Sequence, residues 1–110
     1  MAVSFRQYGK LIEYTATNAV DYHAVVQIGS IIGITRKSAK AGEKISCDAE
    51  GVFQFTKAAG ALTAGTPVTI STDGSVEATA SGGTGNGIVW ADAAADATVV
   101  DVKINVFAGA

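Results

Sequence analysis

The chain has few of the residues that build metal centres and active sites, with one histidine, one cysteine and one tryptophan among 110 residues. A single cysteine excludes an intramolecular disulfide. One histidine, His23, cannot supply the three or four ligands of a zinc site, and we expect it to be solvated in a loop. The acids Asp92, Asp96 and Asp101 lack the dense alternation of acids and glycine found in a calcium loop. We therefore expect no metal, no cofactor and no catalytic site, that is, a protein that is not an enzyme.

Charge is also scarce. Charged residues make up 16% of the chain, the net charge is −2 and the pI is about 5.1. Sequence-independent binding of nucleic acid needs a basic surface, so the composition argues against a nucleic-acid partner. Arg36, Lys37, Lys40 and Lys44 form a small basic cluster that contains the acidic Glu43. A solvated loop is the favoured interpretation of this cluster, and a patch for an acidic partner surface is the alternative.

Long apolar runs are absent as well. No stretch approaches the length that crosses a bilayer, and no charged-then-apolar leader opens the chain, so we expect a protein made and kept in the cytoplasm, with no membrane partner. The glycine-rich stretch at residues 82–87 has no following Gly-Lys-Ser/Thr, and the next element has strand character. It is predicted to be a flexible hairpin loop and not a phosphate loop.

The sequence does contain short alternating apolar segments with glycine-containing turns. Residues 44–49 place Ile45 and Cys47 on one face, and residues 52–56 place Phe53 and Phe55 on one face. Two such runs joined by Glu50-Gly51 predict a β-hairpin. Cys47 is predicted to be a small buried hydrophobe.

Similar segments run along the whole chain. Gly29-Ser30 and Asp73-Gly74 are turn signals between alternating runs and predict further hairpins. Gly33 within a strand predicts a bulge or a close backbone approach. Further strands are predicted at residues 10–15, 25–28, 31–35, 67–70, 87–91 and 99–106. The predicted fold is all-β: a small single-domain β-sandwich or barrel of short antiparallel strands, with at most one short helical turn near residues 57–63.

Two regions are candidates for contacts. Residues 1–8 lack a core periodicity and are predicted to form an N-terminal arm, with residues 9–110 as a single β domain. Phe5, Arg6 and Tyr8 are of types enriched at interface hot spots, so the arm is either a frayed tail or a segment that orders on a neighbour. Trp90 is predicted to lie in the core or at a subunit interface.

The order of these motifs resembles the capsid cement (head decoration) protein family of tailed phages. The stretch AGEKISCDAEGVFQFTKAAGALTAGTPVTI, residues 41–70, has the family's AGE-type turn, apolar strand, EGVF-like segment, Lys-plus-small-residue crossover and G-x-x-V strand. The opening GKLIEY, the segment GIVWA at residues 87–91 and the valine-alternating strand at residues 99–106 fit as well. The resemblance thus covers nearly the whole chain.

The resemblance implies a structural virion protein that binds the major capsid protein lattice on the outer surface of an expanded head, commonly as a homotrimer. It implies that no catalysis is needed. We further expect Phe5, Arg6 and Tyr8 to contact the capsid or a neighbouring subunit, and an apolar face around Trp90 to form the trimer seam. The alternative is a small β-barrel ligand- or glycan-binding accessory module of a phage particle. An enzyme or a nucleotide-dependent recombination protein is disfavoured, since both a phosphate loop and a catalytic cluster are missing.

Overall fold

A computed structural model describes residues 3–4 and 6–110. The described residues form nine strands and no helix, which confirms the predicted all-β class. The turn considered for residues 57–63 is not helical: β5 ends at Lys57, and an isolated bridge at Leu62 follows. The strands are β1 (Leu11–Thr15), β2 (Val25–Ile28), β3 (Ile31–Thr35), β4 (Lys44–Asp48), β5 (Val52–Lys57), β6 (Pro67–Ile70), β7 (Ser75–Ala78), β8 (Gly87–Val89) and β9 (Val99–Ile104).

Four strands form an antiparallel open sheet in the order β1-β4-β3-β2. Its registers place Leu11 opposite Asp48, Ile34 opposite Asp48, and Val25 opposite Ile34. One face carries a small cluster of buried residues: Ala16, Val26, Ala39, Ile45 and Cys47. The fully buried Cys47 confirms its predicted place in a core.

The other five strands close into a barrel in the order β5-β7-β6-β8-β9. Its longest pairing joins β5 to β9 in antiparallel register from Val52↔Lys103 to Thr56↔Val99. One pairing departs from the antiparallel expectation, because β5 and β7 run parallel where Thr56 meets Ser75. The apolar faces of the strands fill the interior, with Phe55, Val68, Ile70, Val76, Val89, Val100, Val102 and Ile104 all buried.

The predicted hairpin across Glu50-Gly51 is wrong. β4 pairs with β1 and β3 in the open sheet, whereas β5 pairs with β9 and β7 in the barrel. Gly51, with φ 133°, marks the point where the chain passes from one sheet into the other. The glycine therefore bends the chain between two sheets and does not reverse it.

The other turn signals are confirmed. Gly29, with φ 59°, closes the β2–β3 hairpin, and Gly74, with φ 85°, closes the β6–β7 hairpin. Gly33 is a site of close approach, as predicted: a Cβ there would lie 2.9 Å from the Cβ of Cys47 and 3.1 Å from the Cδ1 of Ile28. The glycine lets β3 and β4 pack at this distance.

The open sheet packs on the barrel through the opposite face of β2 and β3. Val25, Ile32 and Ile34 belong to the same buried cluster as the barrel interior. Asn105, which follows β9 and has φ 58°, joins the two sheets through its side chain. Its Oδ1 accepts from Ile32 N at 2.9 Å, and its Nδ2 donates to Ile32 O and to Ala49 O, both at 2.8 Å. The amide replaces a strand partner that β3 lacks here.

Lys57 is buried at the end of β5, on the same strand face as Phe53 and Phe55. Its Nζ donates to the carbonyls of Ala58, Ala95 and Ala97 at 3.0, 3.4 and 3.3 Å. Buried cations need such partners. The lysine therefore holds the loop that precedes β9 against β5.

The molecule is a slab with extents of 41 × 39 × 21 Å. The last strand was predicted to place alternate residues on one apolar face, and this is confirmed for Val100, Val102 and Ile104, which are buried. The strand ends at Ile104 and not at Val106. The positive φ of Asn105 ends the ladder.

Candidate functional site

The predicted arm residues that the structure describes are exposed. Tyr8 has 81% of its surface exposed, Arg6 is exposed, and the Nζ of Lys10 lies 5.8 Å from the centre of the Tyr8 ring. Phe5 lies outside the described residues. The arm precedes the edge strand of the open sheet, so Arg6 and Tyr8 are not part of the barrel.

Trp90 lies on the outside of the barrel, immediately after β8. It is 57% exposed, which excludes the predicted place in the core and leaves the interface interpretation. The backbone N–H of Trp90 donates to Asp101 O at 2.8 Å, which fixes the backbone against β9. Val99 on the neighbouring β9 is 42% exposed, and Val52 on β5, the next strand beyond β9, is 41% exposed. We call Val52, Trp90 and Val99 the outer barrel face.

A groove between the open sheet and the barrel was not predicted from the sequence. It has a volume of about 540 Å³, within the range of ligand sites. Val25 and Ile34 line it from the open sheet, Phe53 and Gln54 from β5, and Asp73 from the β6–β7 turn. Residues distant in sequence form its walls, so no local motif marks it.

A small aromatic cluster stands at the edge of this groove. The rings of Tyr22 and His23 stack with centroids 3.9 Å apart and an interplanar angle of 17°. The His23 ring meets Phe53 edge-on at 6.3 Å. The single histidine is exposed in a loop, as predicted, but it also takes part in this cluster.

The loop that carries His23 is fixed by the fully buried Thr35. Its Oγ1 donates to Asp21 O at 2.6 Å and accepts from Ala24 N at 2.8 Å, while Thr35 O accepts from His23 N at 3.0 Å. These bonds hold His23 in a left-handed conformation with φ 56°.

Asp73 supplies a carboxylate at the groove. Its Oδ1 accepts from Ser75 Oγ at 2.6 Å and from Ser75 N at 3.0 Å. These hydrogen bonds favour the ionised form and lower the pKa of the Asp73 carboxyl below its usual value. The groove therefore carries a negative charge at neutral pH.

The basic cluster is partly neutralised. Arg36 Nε lies 3.9 Å from Asp48 Oδ1, and Lys44 Nζ lies 3.9 Å from Glu13 Oε1. Lys37 shares with Arg36 and Lys44 a shallow surface depression of about 410 Å³. Exposed ion pairs of this kind favour the interpretation of a solvated surface.

The glycine-rich stretch is not the hairpin loop that the sequence predicted. β7 and β8 lie on opposite sides of β6, so the segment crosses the end of that strand. Its backbone bonds the C-terminus, with Gly82 N donating to Ala110 O and Gly85 N donating to Ala108 O, both at 2.9 Å. The amides that a phosphate would need are thus already bonded.

Within the described part of the chain, no three His, Cys, Asp or Glu side chains are grouped so that they could hold a metal ion. The same residues contain no helix long and apolar enough to cross a bilayer. The described residues offer exposed contact surfaces and the groove beside β5.

Comparison with known families gives one finding and comparison with curated proteins gives none. The sequence model of a family described as phage cement protein matches residues 6–104, which is most of the chain. No curated protein matches the sequence.

Proposed function

This chain belongs to the phage cement protein family, and from that membership we propose that it binds the major capsid protein lattice on the outer surface of the phage head. The family assigns it a structural role in the virion, in association with the capsid. The match over residues 6–104 is the observation that carries the proposal. The protein would be made in the host cytoplasm and would act without catalysis.

The shape of the molecule supports a role in adhesion. A slab of 41 × 39 × 21 Å has two broad faces that could contact a flat surface. Tyr8, Tyr22, Trp90 and Phe107 are each at least half exposed. Aromatic residues are enriched at the energetic centres of interfaces, so these side chains are suited to contacts with neighbours.

We further propose that the protein decorates the lattice as a homotrimer. Each subunit would contribute a standard or smaller interface. Linking three such interfaces makes the second and third contacts intramolecular and raises the overall affinity by a factor of roughly 10²–10⁴. A cement can therefore bind firmly without a large contact area in any one subunit.

The proposed contact residues in the arm are tested on purified expanded heads. Deletion of residues 1–8 removes Phe5, Arg6 and Tyr8 but leaves every strand in place, because β1 begins at Leu11. We expect the shortened protein to unfold at the same temperature as the full chain and to lose co-sedimentation with heads. The double variant Arg6→Ala/Tyr8→Ala should weaken binding, while Ser4→Ala serves as the matched control. Unchanged co-sedimentation of the shortened protein would refute the role of the arm.

The outer barrel face is the proposed trimer seam, and Trp90 reports on it. Burial of its exposed indole should shift the fluorescence maximum to shorter wavelength when dilute subunits assemble. Trp90→Ala should weaken trimer formation by more than about 1 kcal/mol, the loss typical of a hot-spot aromatic. Phe107→Ala is the control, because Phe107 is 51% exposed and its neighbour Ala108 is bonded to Gly85, at the end of β8 opposite Trp90. An unchanged emission spectrum in the trimer would show that the seam lies elsewhere.

A second candidate function is a ligand- or glycan-binding accessory module of the phage particle. The stacked pair Tyr22–His23 beside Phe53, at a groove that also carries Asp73, is the observation that favours it. Stacked rings and a carboxylate are suited to a polar ring-shaped ligand. Titration with a glycan panel, followed through the ring resonances of His23, tests this function. The absence of any shift, together with binding to heads, would leave the capsid role alone.

A further inference from the structure

One edge of β5 carries backbone groups that none of the nine described strands satisfies. β5 bonds β9 through Gly51, whose O accepts from Ile104 N at 3.0 Å, and through Lys57, whose N donates to Thr98 O at 2.9 Å. Backbone groups two residues apart in a strand face the same edge. The odd-numbered residues of β5 therefore face β9, and its even-numbered residues face the opposite edge.

β7 covers only the end of that opposite edge. It pairs with β5 at Thr56 and Lys57, and Thr56 N donates to Gly74 O at 3.1 Å. In the described part of the chain, no hydrogen bond is formed by the backbone N–H and C=O groups of Val52 and Gln54. An unpaired edge of this kind is a template for an added strand. We call the backbone of Val52–Gln54 the free edge.

The free edge lies along the groove described above. Val25 and Ile34 form an apolar wall on the side of the open sheet, and Asp73 places a carboxylate at the barrel side. A volume of about 540 Å³ leaves room for a few residues of extended chain beside the strand. A binding segment should thus be extended, apolar on one side and positively charged.

The arm of the same molecule cannot continue its own ladder along β5. Ala49 N donates to Lys10 O at 2.8 Å. Lys10 and β1 therefore lie along one edge of β4 as far as Ala49. Two residues later Gly51 is bonded by Ile104, and β9 follows the edge from there. Gly9, with φ 77°, turns the chain at this point. The arm therefore leaves its own sheet.

The sequence of the arm matches the groove. Val3 and Phe5 alternate with Ser4 and Arg6, as in a strand with one apolar side. Val3 is 97% exposed in its own molecule. The charge of Arg6 is complementary to that of Asp73.

We propose that the free edge of β5 receives the N-terminal arm of a second copy of this chain as an added β-strand. Main-chain bonds to Val52 and Gln54 supply affinity, and the apolar wall with Asp73 supplies specificity, as in other cases of strand addition. A contact from the arm of one copy to the groove of the next is heterologous, and it closes into a ring when the rotation permits. The inference rests on the proposed self-association and gives it a structural basis.

A peptide of residues 1–8, added to dilute full-length protein, tests the site without heads. We expect the amide protons of Val52 and Gln54 to exchange rapidly in the free protein and to become protected as the peptide is added up to about 1 mM. A peptide of the same composition in scrambled order is the control. Protection by the native peptide alone supports the proposal, whereas no protection, or equal protection by both peptides, overturns it.

Variants of the full chain locate the contact. Gln54→Pro removes a free-edge N–H that no strand uses, so the barrel should fold, and peptide binding should fall by about tenfold, whereas Gln54→Ala should bind normally. Arg6→Gln in the peptide and Asp73→Asn in the protein should each weaken binding roughly two- to fivefold. Together they should weaken it no further than either alone, because they remove the same ion pair. Full additivity would contradict the pairing of Arg6 with Asp73.

Head binding separates this inference from the proposed function. If the native peptide fails to protect the two amides, but they become protected when the protein decorates heads, the groove receives a capsid segment and the inference is overturned while the cement role stands. If the protein fails to bind heads but the peptide protects the amides, the self-association stands alone.

Discussion

Removal of the Asn105 side chain should produce a large loss of stability. Asn105→Ala deletes the three hydrogen bonds to Ile32 N, Ile32 O and Ala49 O. At about 1 kcal/mol each, these amount to roughly 3 kcal/mol. Alanine at φ 58° adds about 1 kcal/mol of backbone strain, since the left-handed region is unfavourable for it. The expected total is about 4 kcal/mol, a large part of the ~5–15 kcal/mol available to a domain.

Urea unfolding followed by far-ultraviolet circular dichroism and by Trp90 fluorescence measures this loss. Asn105→Gly removes the same three bonds but tolerates positive φ, so it should be about 1 kcal/mol more stable than Asn105→Ala. The two variants thus separate the side-chain bonds from the backbone strain. If Asn105→Ala costs less than about 1 kcal/mol, the amide does not join the two sheets in the way that its geometry indicates.

Two further predictions concern buried groups. Lys57→Met leaves three carbonyls without their donor and should lower the free energy of unfolding by about 2 kcal/mol. Amide exchange at Ala97 should become faster. Unchanged exchange there would contradict the role of Lys57 in holding the loop. Burial, and secondarily the Asp48 carboxylate, raise the pKa of the Cys47 thiol, so the native protein should react with iodoacetamide far more slowly at pH 8 to 9 than the same protein in urea. The folded state holds this proton more tightly than the unfolded state, so the contribution of Cys47 to stability is present below the usual thiol pKa and is lost as pH rises through the raised value. Alkylation of the folded protein at the rate of a free thiol would show that Cys47 is accessible.

The sequence was sufficient for the local elements of the fold. Alternation located β9 and the Gly29 and Gly74 turns, and it placed Cys47 in a core, because each of these depends on neighbours in the chain. Alternation also indicates the burial of Lys57, which lies on the same strand face as Phe53 and Phe55.

Strand partners could not be obtained in the same way. Leu11 pairs with Asp48, and Val52 pairs with Lys103, across separations that no local pattern encodes. Gly51 gives the same signal whether the chain reverses or passes into another sheet, so the β4–β5 hairpin was predicted wrongly. The groove depends on this topology, and it was therefore missed together with the free edge.

The exposure of Trp90 was undetermined for a different reason. Alternate side chains of a strand point inward and outward. Because Gly87–Val89 is short and entirely apolar, the sequence alone does not tell on which side Trp90 lies. In the structure, Val89 is buried in the barrel and Trp90 is exposed on its outside. The contact residues of the arm remain a prediction, since their function depends on a partner.

The slab, at 21 Å about half as thick as it is wide, has a mechanical consequence. A thin domain that adheres through one broad face distributes a lateral force over its whole contact area. A force that lifts one edge acts only on the few contacts nearest that edge. Attachments of this form resist shear better than peeling. An N-terminal arm that binds a neighbouring copy would strengthen the edge of the domain, where detachment begins.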